Sequence, residues 1–179
     1  MEPFLGLPPV GQLGFVVEDI RDSLPEYASS YNIKSWFEPK YAEKHFQIGG
    51  EEIELDLNLV FGYTGKLQVE LIEEKSRRSP LYRNFLERYG PGLHHLGFYV
   101  PDLLEKLRGA HQLGLEVLQE GQFETAGGGS VRFAYLDTQQ ISGTIIELID
   151  IKLYGLNVPQ TEFMMNFARL TGDTRKFEV

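Results

Sequence analysis

The sequence predicts an α+β fold in which two tandem βαβββ modules form one curved mixed sheet around a cleft. Two internal repeats lead to this prediction. Residues 11–19 and 92–102 share a Leu-Gly-Phe core followed by a valine and an aspartate, at an offset of 83 residues. Residues 69–73 (VELIE) and 146–150 (IELID) repeat at an offset of 77 residues. Two repeats at nearly equal offset indicate one structural unit used twice.

The same repeats divide the chain of 179 residues. We predict the first module at residues 10–75, a connecting segment at 76–91 and the second module at 92–151. Residues 152–179 form a C-terminal extension that has no counterpart in the first half. A chain of this length suits one domain, or two small halves that share a core. We expect two halves side by side, related by a pseudo-twofold axis.

The first module begins with an alternating strand over residues 12–17. Asp22 or Ser23 is expected to cap the following helix, because Pro25 is tolerated only in a first helical turn. Three strands are then expected, the second of which shows the clearest alternation in the chain. They cover residues 36–47, 52–61 and 67–73.

The second module repeats this order after a connecting helix that begins at Ser79-Pro80. Its first strand covers residues 94–100, and Asp102 caps a helix that Gly114 ends. The closing strands are predicted near residues 116–120, 131–137 and 144–151.

The C-terminal extension contains a predicted amphipathic helix over residues 161–170. Its apolar side is expected to pack on its own domain or on a second subunit, and a membrane role is disfavoured. Because this stripe needs cover, we expect a homodimer. The apolar side carries Phe163, Met164, Phe167 and Leu170.

One polar residue stands at a repeat-equivalent position in each of four strands. Strand parity places each side chain opposite the apolar row that must face a helix, so all four point into one cleft. Burying an unpaired carboxylate is costly, whereas two carboxylates, an imidazole and an amide oxygen suit a divalent cation with open positions. The sequence therefore predicts a site for zinc, cobalt, nickel or manganese, with the ligands Gln12, Glu70, His95 and Glu147.

A plainer interpretation exists for each of these residues alone. A single histidine in a strand is more often a packed core or surface group than a ligand. The repeat-equivalent glutamates and glutamine favour the metal interpretation of His95. His94 is its neighbour on the opposite strand face, and we expect a structural role for it.

Composition excludes several classes of function. The net charge of −9 argues against binding to a nucleic acid backbone. The chain has no cysteine, which excludes a disulfide, a thiolate nucleophile and a cysteine zinc site. No apolar run approaches the roughly 20 residues of a transmembrane helix, and the first nine residues do not form a signal peptide. We therefore expect a cytoplasmic protein with a small-molecule substrate and no membrane or nucleic acid partner.

The residues above resemble the vicinal oxygen chelate superfamily, which includes glyoxalase I, methylmalonyl-CoA epimerase, extradiol dioxygenases and bleomycin-resistance proteins. The resemblance covers about residues 10–151 and is greatest to the epimerase branch. The segments that carry it, in order, are residues 69–74, 79–80, 85–86, 92–95 (GLHH), 127–128 and 143–148.

Two positions depart from the epimerase pattern. Gln12 stands where epimerases usually carry histidine, and the resulting quartet of glutamine, glutamate, histidine and glutamate resembles some glyoxalase I enzymes. Val16, however, stands where glyoxalase I typically presents an arginine to glutathione. The resemblance thus specifies the superfamily more closely than the substrate.

The resemblance implies a metal-dependent isomerase or epimerase that moves a proton next to a carbonyl group of a small molecule such as an acyl-CoA. In that reaction Glu147 would be the base, and Glu70 would be the second carboxylate that returns the proton. Glu54, on the polar side of the predicted strand over residues 52–61, is the other candidate for the second base.

Two further functions remain open at this point. One is a glyoxalase I-like lyase that acts on a thiol adduct, and the other is a non-catalytic binding protein of the bleomycin-resistance type. An extradiol dioxygenase is disfavoured, because its iron needs two histidines and a carboxylate and Gln12 breaks that triad. Members of the superfamily commonly pair modules across subunits, which also supports a homodimer.

Overall fold

The computed structural model describes residues 5–178. Within them, twelve strands form one strongly curled half-barrel sheet, and five helices complete a mixed α+β fold. The strands are β1 Gln12–Val16, β2 Trp36–Pro39, β3 Glu43–Ile48, β4 Glu51–Glu52, β5 Leu57–Thr64, β6 Leu67–Glu74, β7 Gly92–Tyr99, β8 Val117–Glu124, β9 Gly129–Leu136, β10 Ile145–Leu153, β11 Leu156–Asn157 and β12 Thr174–Phe177. The helices are α1 Ile20–Tyr31, α2 Pro80–Tyr89, α3 Leu103–Gln112, α4 Gln139–Ser142 and α5 Glu162–Thr171.

The strand order confirms the predicted fold class with its tandem modules. One half runs β2-β5-β6-β1 across the sheet, and the other half runs β7-β10-β9-β8 beyond it. The first strand of each half pairs parallel with its last strand, and β1 and β7 join the halves as antiparallel neighbours. Each half has one crossover helix, α1 or α3. The two halves therefore place equivalent strands on the two sides of the junction between β1 and β7.

The predicted strand over residues 36–47 is wrong as a single element. β2 ends at Pro39, and the next strand, β3, pairs with β8 at the far end of the sheet. Proline has no N–H to donate to a neighbouring strand, so it suits a strand end. Between the two strands, the ring of Tyr41 stacks on Phe123 of β8 at a centroid distance of 4.3 Å. This segment of the first half thus covers an edge of the second half.

The predicted strand over residues 52–61 is also wrong in its boundaries. β4 ends at Glu52 and β5 begins at Leu57, while residues 53–56 have no partner strand. The alternating sequence pattern that predicted the strand corresponds to alternating burial of the side chains: Ile53 and Leu55 are half-buried and Glu54 is exposed. Here the chain returns from the edge strand β4 to β5, so an alternating pattern persists without strand pairing.

Helix α1 begins earlier than predicted, because Asp19 caps it instead of Asp22 or Ser23. Its carboxylate oxygen Oδ1 accepts hydrogen bonds from the backbone N–H groups of Arg21 (2.7 Å) and Asp22 (3.1 Å). Pro25 consequently lies inside the helix. Asp19 is the repeat equivalent of Asp102, whose Oδ1 caps α3 by accepting from the Glu105 N–H at 3.0 Å. The same capping device therefore starts both crossover helices.

Apolar side chains on the outer face of the sheet bury the two crossover helices. Ile20 and Leu24 of α1 pack in a buried cluster with Val69 and Leu71 of β6. An equivalent cluster joins α3 to the outer faces of β9 and β10. Burial of each such aliphatic side chain stabilises the fold by about 1.5–3 kcal/mol. In each central strand, alternate side chains pack in these clusters against the helices. The side chains between them face the cleft.

The C-terminal extension packs on its own domain. Helix α5 is capped by Thr161, and β12 pairs with β2 at the edge of the sheet. Met165 is the buried residue of this helix, whereas Phe163 and Leu170 on the predicted apolar stripe are 75% and 84% exposed. Among the described helices, none has the length and apolar character needed to cross a bilayer. The homodimer stays a prediction.

Candidate metal centre

The four central strands carry the four predicted ligands. In the order β6, β1, β7 and β10, these strands present Glu70, Gln12, His95 and Glu147, and all four side chains are buried. The structure therefore brings all four predicted residues together in one cleft. Each belongs to the strand parity that does not face a helix, as the sequence pattern predicts.

Two glycines leave the space that these side chains occupy. Gly14 pairs with Glu70 on one side and with His95 on the other. A Cβ atom at Gly14 would overlap the imidazole ring of His95. Gly97 is the repeat equivalent, and a Cβ atom there would lie 2.6 Å from Oε1 of Gln12. The site thus depends on the absence of side chains at both positions.

Three oxygen atoms surround one nitrogen of His95. Its Nε2 lies 3.1 Å from Oε2 of Glu147, 3.3 Å from Oε2 of Glu70 and 3.3 Å from Oε1 of Gln12. A ring nitrogen carries at most one hydrogen, so it cannot donate to all three oxygens. Oε2 of Glu147 is buried and has no hydrogen-bond partner within the described residues, because its contact with His95 lacks hydrogen-bond geometry.

A divalent cation fits this donor set. Ligand atoms about 2.0–2.2 Å from a common ion lie roughly 3.0–3.4 Å from one another, which matches the contacts around Nε2 of His95. Glu70, His95 and Glu147 each place a ligand atom within 4.8 Å of the others. One imidazole nitrogen and several oxygens also suit an ion that keeps open positions. The residues present therefore fit a divalent metal.

Burial and mutual charge shift the pKa values at this site. Burial raises the pKa of Glu70 to about 7, against a partial lowering by His95, and the negative charge of Glu147 adds to the rise. Burial alone would lower the pKa of His95, but the negative charge of Glu147, and then the close contacts of both carboxylates with the ring and the charge of Glu70, outweigh this effect and raise the value to about 9. In the metal-free site, a proton thus remains bound where a cation fits.

The expectation that His94 lies on the opposite strand face from His95 is wrong. The register of β7 against β1 shifts by one residue after the pair of Gly14 with His95, which is a β-bulge. A bulge places two residues of one strand opposite one residue of its partner and re-aims their side chains. As a result, Nδ1 of His94 lies 3.1 Å from Nδ1 of His95.

The histidine pair defines the tautomers at the site. Burial, and then the charge of His95, hold the pKa of His94 well below its usual range, so His94 is neutral. A neutral imidazole has one donor and one acceptor nitrogen. If Nδ1 of His94 accepts from the Nδ1–H of His95, then Nε2 of His95 is free to bind a cation. His94 is thus in contact with the site through His95.

On the first half of the sheet, an amide chain that the sequence analysis missed holds Gln12. Its Nε2 donates to Oε1 of Gln68 at 2.7 Å, and the hydroxyl of Tyr99 donates to the same oxygen at 2.8 Å. Nε2 of Gln68 donates to the hydroxyl of Tyr63 at 2.7 Å. These bonds direct Oε1 of Gln12 towards His95. Gln68 precedes Glu70 by two residues, so strand parity was the signal that could have found it.

Aromatic side chains form the rest of the cleft wall. The cavity beside the ligands holds about 40 Å³. Tyr82, from the connecting helix α2, brings its hydroxyl 3.3 Å from that of Tyr135, which pairs with Glu147 across β9 and β10. No sequence pattern pointed to Tyr82, because its place depends on how α2 packs. This wall explains the strong desolvation of the carboxylates. It consists of Tyr41, Phe61, Tyr82, Tyr99, Phe123, Phe133 and Tyr135.

Glu54 does not lie at the site. Its side chain is 93% exposed and pairs with Arg78 at 3.1 Å. The inward side of this part of the chain is apolar, since Leu57, Leu59 and Phe61 line the cleft. The side chain of Glu54 therefore points away from the cleft, and the structure does not support Glu54 as a second base.

The sequence profile of the glyoxalase/bleomycin resistance protein/dioxygenase superfamily matches residues 11–135, which is more than half of the chain. The chain belongs to this superfamily. The resemblance inferred from the motifs is thereby confirmed, and the matched segment contains three of the four predicted ligands.

Known proteins similar to this superfamily member include the uncharacterized protein YqjC of Bacillus subtilis (strain 168). The two are 29% identical over 99 residues, which cover 55% of this chain and 69% of the relative. Among solved structures, hypothetical protein BH1468 of Bacillus halodurans C-125 is 22% identical, with a TM-score of 0.54, covering 78% of this chain and 91% of that chain.

Methylmalonyl-CoA epimerases are also among the structural neighbours. A single-residue variant of the Streptomyces coelicolor enzyme, in complex with 2-nitronate-propionyl-CoA, is 15% identical, with a TM-score of 0.55, covering 86% of this chain and 100% of that chain. At this identity the likeness shows the shared fold.

Proposed function

We propose that this protein is a divalent-metal-dependent isomerase or epimerase that moves a proton on the carbon next to a carbonyl group. One observation carries the proposal: two buried carboxylates, Glu70 and Glu147, converge on one histidine from opposite sides of the sheet junction. Inversion at a carbon atom needs one group to remove a proton and another to return it from the opposite face. The pseudo-twofold arrangement supplies such a pair.

The metal would be held by Glu70, His95 and Glu147, with Oε1 of Gln12 as the neutral fourth ligand. When bound, the ion supplies positive charge where the substrate carbonyl oxygen gains negative charge. The aromatic wall excludes water, which strengthens this electrostatic stabilisation.

The two carboxylates would have different roles. Oε2 of Glu147, 3.1 Å from Nε2 of His95, would bind the metal, which leaves the second oxygen of this carboxylate to accept a substrate proton. Glu70 reaches the site from β6, on the other side of the sheet junction, so it is placed to return the proton from the opposite face. We assign proton removal to Glu147 and proton return to Glu70.

Solvent deuterium exchange tests this function. Protein loaded with cobalt, nickel, manganese or zinc is incubated in D₂O with a panel of acyl-CoA esters and hemithioacetals, and exchange is followed by mass spectrometry. Glu147→Gln keeps the shape and an oxygen ligand but removes the base, so exchange should fall by about 10²–10⁴-fold while metal remains bound. Glu73→Gln, on the same strand as Glu70 but outside the cleft wall, is the matched control and should exchange normally.

The same panel distinguishes the other two functions. A glyoxalase I-like lyase would convert hemithioacetals and leave acyl-CoA esters unchanged, whereas a binding protein of the bleomycin-resistance type would exchange neither. Unchanged exchange in Glu147→Gln would contradict the assigned base. Failure of every metal to shift the melting temperature of chelator-treated protein would contradict the metal itself.

A further inference from the structure

Helix α5 and the sheet enclose an apolar groove next to the candidate metal centre. The groove has a volume of about 320 Å³, within the range of small-molecule sites. Its floor comes from β5, β9 and β10, and its outer wall comes from α5. Aliphatic, thioether and aromatic groups form most of its surface, among them Phe61, Val131, Ile151, Met164, Met165 and Phe167.

The groove adjoins the cavity at the metal centre. Five residues line both spaces: Tyr41, Phe61, Val131, Ile151 and Gln160. The cavity at the ligands holds only about 40 Å³, little more than the liquid volume of one water molecule, about 30 Å³. It has room for a reacting carbonyl group but not for the remainder of a substrate. The remainder must extend into an adjoining space.

The charge of the groove indicates what that remainder is. Its described lining contains two charged side chains, Lys152 and Asp173, and both are already paired. The ammonium of Lys152 lies 3.2 Å from Asp150. Oδ1 of Asp173 accepts from the Gly127 N–H at 2.9 Å, and its Oδ2 accepts from the hydroxyl of Thr171 at 3.2 Å. Asp150 also pairs with Arg132 at 2.7 Å, so Lys152 is one of two cations on a single carboxylate, but the negative charge of Asp173 in the same lining disfavours a phosphate or carboxylate there. The apolar groups that form most of the lining instead favour the desolvation of a hydrocarbon chain.

We propose that this groove binds the neutral apolar chain of the substrate, with the reacting carbonyl group at the adjoining metal centre. The inference rests on the proposed function for the position of the carbonyl, and it adds the substrate class: a carbonyl compound with an extended aliphatic chain. Two methionines in the wall suit this ligand, because the thioether side chain adapts to chains of different shape.

The C-terminal extension is held in place by polar bonds as well as by packing. The hydroxyl of Thr174 donates to the backbone carbonyl of Met165 at 2.9 Å, and the backbone carbonyl of Asp173 accepts from the Lys40 N–H at 2.7 Å. Nε2 of Gln160 donates to Sδ of Met165 at 3.4 Å. The bond from Lys40 and the pairing of β12 with β2 tie the extension to the first half, while the two bonds to Met165 hold α5 within the extension, which thus forms a wall of the binding site.

A homologous series of neutral probes tests the groove. Straight-chain 2-alkanones from 2-butanone to 2-undecanone are titrated into protein labelled with ¹³C at the methionine methyl groups. Two of the three methionines line the groove, so their resonances should shift on binding. The dissociation constant should fall by about fourfold for each added methylene until the groove is filled, and then level off.

Two variants locate the chain. Met164→Lys, in the wall, should weaken 2-nonanone binding by about tenfold or more and leave 2-butanone binding unchanged. Leu170→Lys is the matched control on the same helix, since this residue is 84% exposed and does not line the groove. Ala168→Leu should shorten the chain length at which affinity levels off, and it tests the groove even if Met164→Lys proves unstable.

The titration is repeated on chelator-treated protein, which separates this inference from the proposed function. Chain-length dependence should persist without metal, because none of the four candidate ligands lines the groove, while deuterium exchange should be lost. A dissociation constant that does not change with chain length would contradict binding of the chain in the groove, even if the protein catalyses deuterium exchange. An equal effect of Leu170→Lys would also overturn it, as would methyl shifts that follow protein concentration, since a second copy would then fill the groove.

Discussion

The two halves of the sheet build the same backbone around the site but support its candidate ligands differently. In the first half, Gln12 is oriented by the side-chain amide of Gln68 in a neutral hydrogen-bond chain. In the second half, His95 is oriented by His94, which a β-bulge brings into contact. The repeat thus keeps strand order and glycine positions while the chemistry diverges. One half supplies a weak oxygen donor, and the other supplies the nitrogen around which the oxygens gather.

The largest effect of this asymmetry should appear when each ligand is removed. His95→Ala deletes the only nitrogen donor in the candidate centre and should abolish the melting shift produced by cobalt or nickel. Gln12→Ala deletes a neutral oxygen that water can replace, so most of the shift should remain. Melting is measured after chelator treatment with and without metal. His45→Ala, at an exposed histidine, is the matched control and should behave as the unaltered protein. Equal losses in Gln12→Ala and His95→Ala would contradict the asymmetry.

The repeat-equivalent glycines Gly14 and Gly97 provide a second test of this asymmetry. Gly14→Ala places a methyl group on the buried ring of His95, which is enclosed on all sides and cannot move away. Gly97→Ala meets Oε1 of Gln12 at 2.6 Å, Cβ of Gln12 at 2.8 Å and Cδ1 of Ile149 at 2.9 Å, whereas the new methyl group at Gly14 would lie 1.9 Å from the ring of His95. We expect Gly14→Ala to destabilise the metal-free protein by about 1–3 kcal/mol more than Gly97→Ala, as overpacking of a rigid core does. Urea unfolding curves measure the difference, and the reverse order would show that Gln12 is the more constrained ligand.

The residues that orient the candidate ligands, His94 and Gln68, should show a smaller difference between the two halves. His94→Phe keeps an aromatic ring among Tyr82, Phe85 and Tyr135 but removes the acceptor for His95. It should weaken metal binding by about 10–100-fold, as loss of a partner of a histidine ligand does. Gln68→Met removes the hydrogen-bond partner of Gln12 and should weaken metal binding by less than His94→Phe does. Metal titration by calorimetry compares them. His94→Gln, which retains an acceptor oxygen, should recover part of the affinity, whereas a purely packing role would favour His94→Phe.

The sequence predicted the convergence of the candidate ligands better than it predicted the strands around them. Repeat-equivalent positions and strand parity placed Glu70 and Glu147 in one cleft, because parity depends only on the local backbone. The break between β4 and β5, the crossing of β3 to the far edge and the placement of Tyr82 depend on long-range pairing that no local pattern specifies. The bulge at His94 had the same origin. One residue inserted opposite Gly14 reverses a parity argument, and only the paired strand reveals it.

The last expected effect is on pH dependence, and its sign follows from the two raised pKa values. The pKa of His95 rises from its ordinary value of 6.5 to about 9, and that of Glu70 rises from 4.5 to about 7. In both cases the folded metal-free protein binds protons more tightly than the unfolded chain. Their contribution to stability is therefore complete below the unfolded pKa values and is lost as pH rises through about 7 for Glu70 and about 9 for His95.

A bound cation takes the place of those protons, so its stabilising effect should grow over the same range. Melting temperatures of chelator-treated and nickel-loaded protein at about pH 6, 7.5 and 9 measure this. We expect the metal-free protein to lose stability with rising pH and the metal-induced shift to increase. Glu70→Gln should remove the part of the trend between about pH 6 and 7.5, and His95→Gln the part towards about pH 9. A trend that is unchanged in both variants would place the titrating groups outside this centre and leave the difference between the two halves to geometry alone.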